Sequence, residues 1–170
     1  MTLLSIYMTC MMALAYDPQP SFLETLRSGS QDNCVFVEYE FSTEMAGFKA
    51  VGDGRLEIQG TSYHMTGNGV EIYCDGTSTW VIDEDASEVV IEAADSRDSG
   101  FLANPVILLM NLEDSGLTYK ESLDHIYINL EDGTELDVRI KAMSVAPIKK
   151  PEAFRPPTDF SDKWIVTDLR

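Results

Sequence analysis

The chain has 170 residues, of which 44% are hydrophobic, 29 are acidic and 12 are basic. This length and composition fit one globular domain with its own core and leave no room for a second. The formal net charge of −17 opposes binding to nucleic acid and to anionic membranes, because both need Lys and Arg to displace counterions. Two histidines and three cysteines without metal-ligand spacing argue against a zinc site, so we expect no metal and no cofactor.

The first fifteen residues resemble a targeting segment. Residues 1–15 are uncharged and mostly apolar, and they end in Ala13-Leu14-Ala15, a small-x-small pattern that signal peptidase accepts. This predicts a cleaved signal peptide over residues 1–15, its basic start lost, and a single mature domain over residues 16–170. A helix of that length would span about 22 Å, short of the roughly 30 Å hydrocarbon core, so no membrane anchor is expected. The alternative is a buried N-terminal helix or strand.

The mature chain begins with a helix signal and continues with strand signals. Ser21-Phe22-Leu23-Glu24 is a capping box, which predicts a short helix that ends near Gly29. Period-two alternation then predicts strands over 34–41, 55–59, 63–65, 70–72, 79–83 and 88–92. Turn signals separate them at Gly52-Asp53-Gly54, Gly67-Asn68-Gly69, Asp75-Gly76 and Asp83-Glu84-Asp85. The pattern is typical of an antiparallel meander.

Strand signals return near the C-terminus. Residues 126–130 and 136–143 flank Asp132-Gly133 and predict a hairpin, and a last extended segment lies around 164–166. About eight to ten strands joined by hairpins favour a curled antiparallel sheet. We therefore predict a mainly β (α+β) fold, a curled and incomplete antiparallel β-barrel with covering helices.

One predicted helix is apolar on all sides. Asn104-Pro105 resembles an N-cap followed by proline at the first helical position, and the helix should end near residue 114, before Gly116. Its residues 106–110 are all apolar, so no side of the helix is suited to face water. Such a helix either fills the core as a plug, the commoner use of apolar residues, or lets one side face an interior cavity.

The sequence offers little for catalysis. His64 and His125 have no Ser or Cys nucleophile placed by a known motif, and Asp124 and His125 should point to opposite faces of a strand. Asp83-Glu84-Asp85 lacks the spacing of a calcium loop, and no glycine-rich phosphate loop opens a helix. We therefore predict no catalytic residues and no enzymatic activity.

Two cysteines remain in the predicted mature chain. Cys34 shares strand parity with Phe36 and Glu38, whereas Cys74 shares parity with Val70 and Ile72. Opposite faces of one sheet cannot bring two Cβ atoms to the roughly 4 Å of a disulfide, so we expect Cys34 and Cys74 to be unbridged.

Several segments together resemble a known family. Residues 54–58 (GRLEI), 63–65 (YHM) and 69–80 (GVEIYCDGTSTW) resemble the G-x-L-x-I/V … S-D-G-K-T-x-W stretch of LolA-like periplasmic lipoprotein carriers. Residues 164–170 (WIVTDLR) resemble the V-x-V-I-D-L/M-R ending of such proteins from Bacteroidetes-type bacteria. Residues 35–41 occupy the place of the family's first long strand, so the likeness covers most of the mature chain.

This resemblance implies a fold and a function. The family's fold is an incomplete antiparallel barrel covered by helices, and its members carry lipoprotein acyl chains from the inner to the outer membrane of Gram-negative bacteria. It implies a periplasmic monomer with a hydrophobic cavity that holds lipoprotein acyl chains or another lipid. An inner-membrane release complex and an outer-membrane acceptor would be its partners. The implied cavity residues are Leu56, Ile58, Met65, Ile72, Trp80, Ile82, Ile107, Leu108 and Met110.

Two departures from the family pattern bear on the cavity. Family members carry a basic residue just after the second strand that helps to latch the covering helix, and here Gln59-Gly60 stands in its place. The segment between Gly100 and His125 is also shorter than usual, which would reduce the cavity. The alternative function on the same scaffold is an envelope regulator that senses a lipid or lipoprotein without transporting it.

Overall fold

The computed structural model describes residues 21–45, 48–67, 69–94, 109–110, 112, 116–130, 133–157, 160 and 163–170. Within these ranges the chain forms a helix α1 (Phe22–Asp32), a short 3-10 helix (Pro151–Phe154) and ten strands. The strands are β1 (Cys34–Met45), β2 (Phe48–Gln59), β3 (Ser62–Gly67), β4 (Val70–Cys74), β5 (Ser78–Asp83), β6 (Glu88–Ala93), β7 (Thr118–Glu121), β8 (His125–Asn129), β9 (Glu135–Ala146) and β10 (Ile165–Asp168).

All ten strands belong to one sheet, in the order β10-β6-β5-β4-β3-β2-β1-β9-β8-β7. Consecutive strands from β1 to β6 pair as antiparallel hairpins, as the alternation predicts. The prediction of an antiparallel sheet throughout is wrong, because β10 runs parallel to β6. The physical reason is that β10 follows β9 through a long connection. No hairpin joins β10 to β6, so nothing requires these two strands to be antiparallel. In the described ranges β7 and β10 are the two ends of an open sheet, so the barrel is not closed.

The strand register divides the side chains between two faces. Val37, Leu56, Met65, Ile72 and Val81 are successive partners across β1 to β5, and their side chains define what we call the inner face. The neighbouring row defines the outer face and consists of Phe36, Glu57, His64, Tyr73 and Trp80.

The main hydrophobic core lies on the inner face. Its fifteen buried residues come from α1, from β1 to β4, and from β8 and β9 across the sheet, together with Leu112. A smaller cluster lies on the outer face, where Phe160 and Trp164 of the C-terminal segment pack against β4 to β6. The single sheet therefore carries an apolar cluster on each side, and the larger one lies on the inner face.

Helix α1 covers part of the inner face and is tied down at both ends. The Ser21 hydroxyl accepts a hydrogen bond from the Glu24 N–H (3.1 Å), which confirms the predicted helix start. The Leu23 N–H donates to Glu121 Oε1 (2.7 Å), and the Gly60 N–H donates to the Ser30 carbonyl (2.7 Å). The last bond links the helix to the β2–β3 turn, so α1 is a fixed part of the fold.

The predicted turn at Gly52-Asp53-Gly54 is wrong, because β2 runs straight through it alongside β1. Gly54 is needed there for space and not for a turn, since a Cβ at this position would lie 2.4 Å from the Tyr39 hydroxyl oxygen. The turn signals at Gly69 and Gly76 are confirmed, with φ of 79° and 87°, whereas Gly29 lies inside α1, which continues to Asp32. Strand β7 was not predicted, because its sequence TYKE shows no apolar alternation.

The cysteine prediction is confirmed. Cys34 and Cys74 are both free and buried. The register places Cys34 in the outer-face row of β1 and Cys74 on the inner face of β4. Burial raises the pKa of both thiols, so they behave as small apolar groups.

Candidate functional site: the apolar inner face

Four of the nine predicted cavity residues lie together on the inner face. Leu56, Ile58 and Ile72 are buried, and Met65 lies half-buried at their margin. They come from three adjacent strands and share one face because each tight hairpin reverses which parity of residue points inward. The structure therefore places these four side chains on one apolar face, and their role in lining a cavity stays a prediction.

Trp80 and Ile82 do not belong to this surface. Ile72 faces Val81 across the sheet, which places Trp80 and Ile82 on the outer face with the smaller cluster. Their assignment to the same face as Leu56 is wrong. The turn between β4 and β5 pairs Cys74 with Thr79, so the inward-facing residues of β5 have odd numbers.

The covering segment is described only in part. Ile107 and Leu108 lie outside the described residues. Leu109 and Met110 are helical and half-buried against the main core, and Leu112 is fully buried in it. Where the covering segment is described, it therefore packs directly on the inner face.

Residues from the other half of the sheet extend the same surface. Ile126 and Ile128 of β8 and Leu136 and Val138 of β9 are buried in the main core with the residues of β1 to β4. Their strands were predicted from alternation, but none of the segments that carry the family resemblance lies in β8 or β9. The long β1–β9 pairing that joins the two halves links distant parts of the chain and leaves no local sequence signal.

Two open clefts are lined by described residues, and neither contains a predicted cavity residue. One of about 410 Å³ lies between α1 and β9, and it is lined mainly by apolar groups that include Phe22, Leu123, Ile140 and Met143. The other, of about 480 Å³, is lined by polar side chains of β1, β2 and β7 to β9 together with the core residues Ile128 and Leu136. Phe22 and Ile140 also touch the main core, so both clefts lie at the border of the apolar inner face.

Gln59-Gly60, which replaces the family's basic residue, contacts two covering segments. The Gln59 side-chain amide donates to the Lys149 carbonyl (3.1 Å) and its Oε1 accepts from the Lys149 N–H (2.8 Å). Lys149 also pairs with Glu57 and lies over the Phe36 ring. The Gly60 N–H binds α1, so this turn links both α1 and the C-terminal segment to the sheet.

We expect Gln59→Ala to lower the free energy of unfolding by about 1–3 kcal/mol, because it leaves the Lys149 N–H and carbonyl without this partner. Urea denaturation measures the loss. Gln31→Ala, on the exposed side of α1, is the matched control and should change stability by less than about 0.5 kcal/mol. Equal stability of the two variants would show that the Gln59 contact is dispensable.

Asp75 anchors the β4–β5 turn to the C-terminal segment. Its Oδ1 accepts from the N–H groups of Thr77 and Ser78 (2.9 Å each), and its Oδ2 lies 2.7 Å from Arg155 Nη2. Burial raises the pKa of the Asp75 carboxyl, but these N–H donors and the Arg155 guanidinium outweigh burial and hold the pKa below its ordinary value. The charged carboxylate therefore stabilises the folded state.

The lowered pKa of Asp75 gives a pH dependence with a definite sign. Its stabilising effect is present above the ordinary pKa of 3.8 and is lost as pH falls through the lower folded-state pKa. We expect Asp75→Asn to be less stable than the wild type at neutral pH, with the gap closing below about pH 4. Urea midpoints measured across that range, with Asp85→Asn as the exposed control, test this; a gap that stays constant with pH would contradict it.

The histidines lie away from the inner-face core. His64 Nε2 and the Tyr73 hydroxyl both contact Glu71 Oε1 (2.7 and 2.8 Å), and the His64 and Tyr73 rings stack on the outer face. Asp124 and His125 do contact each other (3.2 Å), contrary to the expectation from strand parity, because Asp124 lies in the turn before β8. The absence of enzymatic activity stays a prediction.

No protein-family model matches the chain, and a search of the curated proteins returned no match. Among the described residues, no cluster of three or more His, Cys, Asp or Glu side chains is arranged to hold a metal ion. In the same ranges, every helix is too short or too polar to cross a membrane.

Proposed function

We propose that this protein is a periplasmic carrier that shields the acyl chains of lipoproteins, or of another lipid, during transfer from the inner to the outer membrane. The observation that carries the proposal is the apolar inner face, which continues from β1 to β4 into β8 and β9. Burying each methylene group contributes about 0.8 kcal/mol, so ten or more methylenes can supply micromolar affinity.

The passenger takes the place of the covering side chains. Leu56, Ile58 and Ile72 are closed to solvent, so an acyl chain reaches them only when residues packed on them move away. Helix α1 is held by hydrogen bonds at both ends, whereas Leu109 and Met110 are only half-buried against the core. We therefore assign the exchange to Leu109, Met110 and Leu112.

The half-buried methionines support this exchange. Met65 and Met110 both pack at the border of the main core. Methionine has three rotatable bonds and a polarizable sulfur, so it can repack against acyl chains of different shape. The resemblance of residues 54–80 to lipoprotein carriers supports the choice of passenger and of compartment.

Transfer between two membranes separates a carrier from a sensor. Donor vesicles containing a fluorescent diacylated peptide are mixed with unlabelled acceptor vesicles, and fluorescence in the acceptor is followed with and without the purified protein. A carrier accelerates the transfer in proportion to protein concentration. Saturable binding of the peptide without acceleration would contradict transport and favour the sensing role.

A further inference from the structure

One edge of β9 is open and unusually apolar. β8 pairs with β9 only as far as Arg139, and among the described residues no strand pairs with the outward edge of residues 141–146. Four of the exposed large hydrophobic side chains lie along this edge or beside it: Leu123 (64% exposed), Met143 (39%), Val145 (58%) and Ile148 (61%). Open edges with exposed apolar side chains are templates for pairing with another chain.

At two residues of this edge, the backbone N–H and C=O groups point away from the sheet. The Ile140 N–H donates to the Asp124 carbonyl (2.7 Å) on the β8 side, and a bulge then inserts one extra residue in β9 opposite Glu38 and Tyr39. In an antiparallel ladder every second residue forms hydrogen bonds with the neighbouring strand, and after the bulge Ala142 and Ser144 are the residues that face β1 in this way. It therefore directs the N–H and C=O groups of Met143 and Val145 away from the sheet.

The charge pattern indicates the partner. The molecule carries a net charge of −17, yet residues 142–148 (AMSVAPI) are uncharged. Lys141, at the start of this edge, is already paired with Glu40 (2.6 Å). A second copy of the chain can therefore pair with residues 142–146 without bringing like charges together in the paired strands, and the nearest charged side chains in the adjoining cleft are Asp124 and Lys141.

We propose that residues 141–146 pair antiparallel with the same residues of a second copy, about a two-fold axis at Ser144, in place of the monomer that the family resemblance implies. In this register Met143 of each copy lies opposite Val145 of the other, so the outward N–H and C=O groups face one another. Both side chains lie on the inner-face side, because their β1 partners are Val37 and Val35. Ile148 of each copy then lies beside the cleft that Phe22, Leu123 and Ile140 line in the other.

Sedimentation velocity on the purified chain tests the pairing. We expect a monomer–dimer equilibrium that tightens at least about tenfold between roughly 0.01 and 0.5 M salt, because salt screens the repulsion between two acidic molecules. Val145→Lys places a charge on each side of the contact and should weaken association at least about tenfold. Val51→Lys, at a valine of β2 that is also largely exposed (67%), should leave the association unchanged.

A cross-link tests the register independently of the equilibrium. The two Ser144 residues face each other as a pair without mutual hydrogen bonds, where Cα atoms lie about 4.5 Å apart and a disulfide fits. Ser144→Cys should therefore form a covalent dimer on oxidation faster than Ala142→Cys, which lies opposite Ala146. A monomer at every concentration and salt, association that survives Val145→Lys, or equal cross-linking at 142 and 144 would each overturn the proposal.

Discussion

Replacing Met65 with glutamate should reduce binding of an acyl-chain probe at least about tenfold while the protein stays folded. Met65 is half-buried on the inner face between Leu56 and Ile72, so a carboxylate there can still reach water in the empty protein. Beside a bound acyl chain the same carboxylate would lose its hydration, which is costly. Titration with a fluorescent fatty acid measures the affinity, and circular dichroism confirms the fold.

The next residue in β3 provides a matched control. Thr66 lies on the outer face between Arg55 and Glu71, so Thr66→Glu makes the same charge change on the opposite side of the sheet. Its probe affinity should stay within about twofold of the wild type. If both variants lose binding equally, or neither does, the inner face is not the binding surface.

Replacing Leu112 with alanine should lower stability and tighten acyl-chain binding at the same time. Leu112 is fully buried in the main core, and truncating such a leucine costs about 2–5 kcal/mol. If the passenger displaces this side chain, a weaker cover raises the fraction of binding-competent molecules, and we expect an affinity gain of about 3- to 10-fold. Denaturant unfolding and probe titration on the same preparation measure the two effects.

Leu136→Ala is the corresponding control in the sheet. Leu136 is buried in the same cluster, but it belongs to β9 and forms part of the proposed lining. Its truncation should lower stability by a similar amount and weaken binding, because the passenger loses a contact. Identical changes in affinity for Leu112→Ala and Leu136→Ala would refute the proposal that the passenger displaces the covering segment while it contacts the sheet.

Much of the secondary structure could be predicted because it depends on local rules. The capping box at Ser21 predicted α1, and period-two alternation predicted eight of the ten strands, while β10 was predicted only as an extended segment. Both signals arise from neighbouring residues that share a hydrogen bond or a face. The exceptions have local causes as well: Gly54 accommodates the Tyr39 ring inside a strand, and β7 lacks alternating apolar residues.

Long-range pairing could not be predicted from the same rules. The parallel contact of β10 with β6 and the antiparallel contact of β1 with β9 join segments far apart in the chain. Residue spacing carries no information about which distant strands meet, so the second half of the inner face and the open edge of β9 both escaped prediction.

The candidate site was predicted in part for a related reason. Leu56, Ile58, Met65 and Ile72 lie on one face, as carrying over the family pattern implied, but Trp80 lies on the other. The turn after Asp75 sets the register of β5, and one residue more or less in a turn exchanges the two faces of a strand. The contact that Gln59 makes could not be predicted either, because its partner Lys149 comes from the distant C-terminal segment.

Native mass spectrometry tests most directly whether the inner face accommodates acyl chains. The protein is purified without detergent from the cells that produce it naturally, sprayed under non-denaturing conditions and then denatured to release any passenger for identification. We expect a mass above that of the 18.9 kDa chain, or of its processed form, by one lipid or acylated peptide. Met65→Glu should remove the added mass and Thr66→Glu should retain it. A bare chain in every preparation, together with no saturable uptake of an added fatty-acid probe, would contradict it.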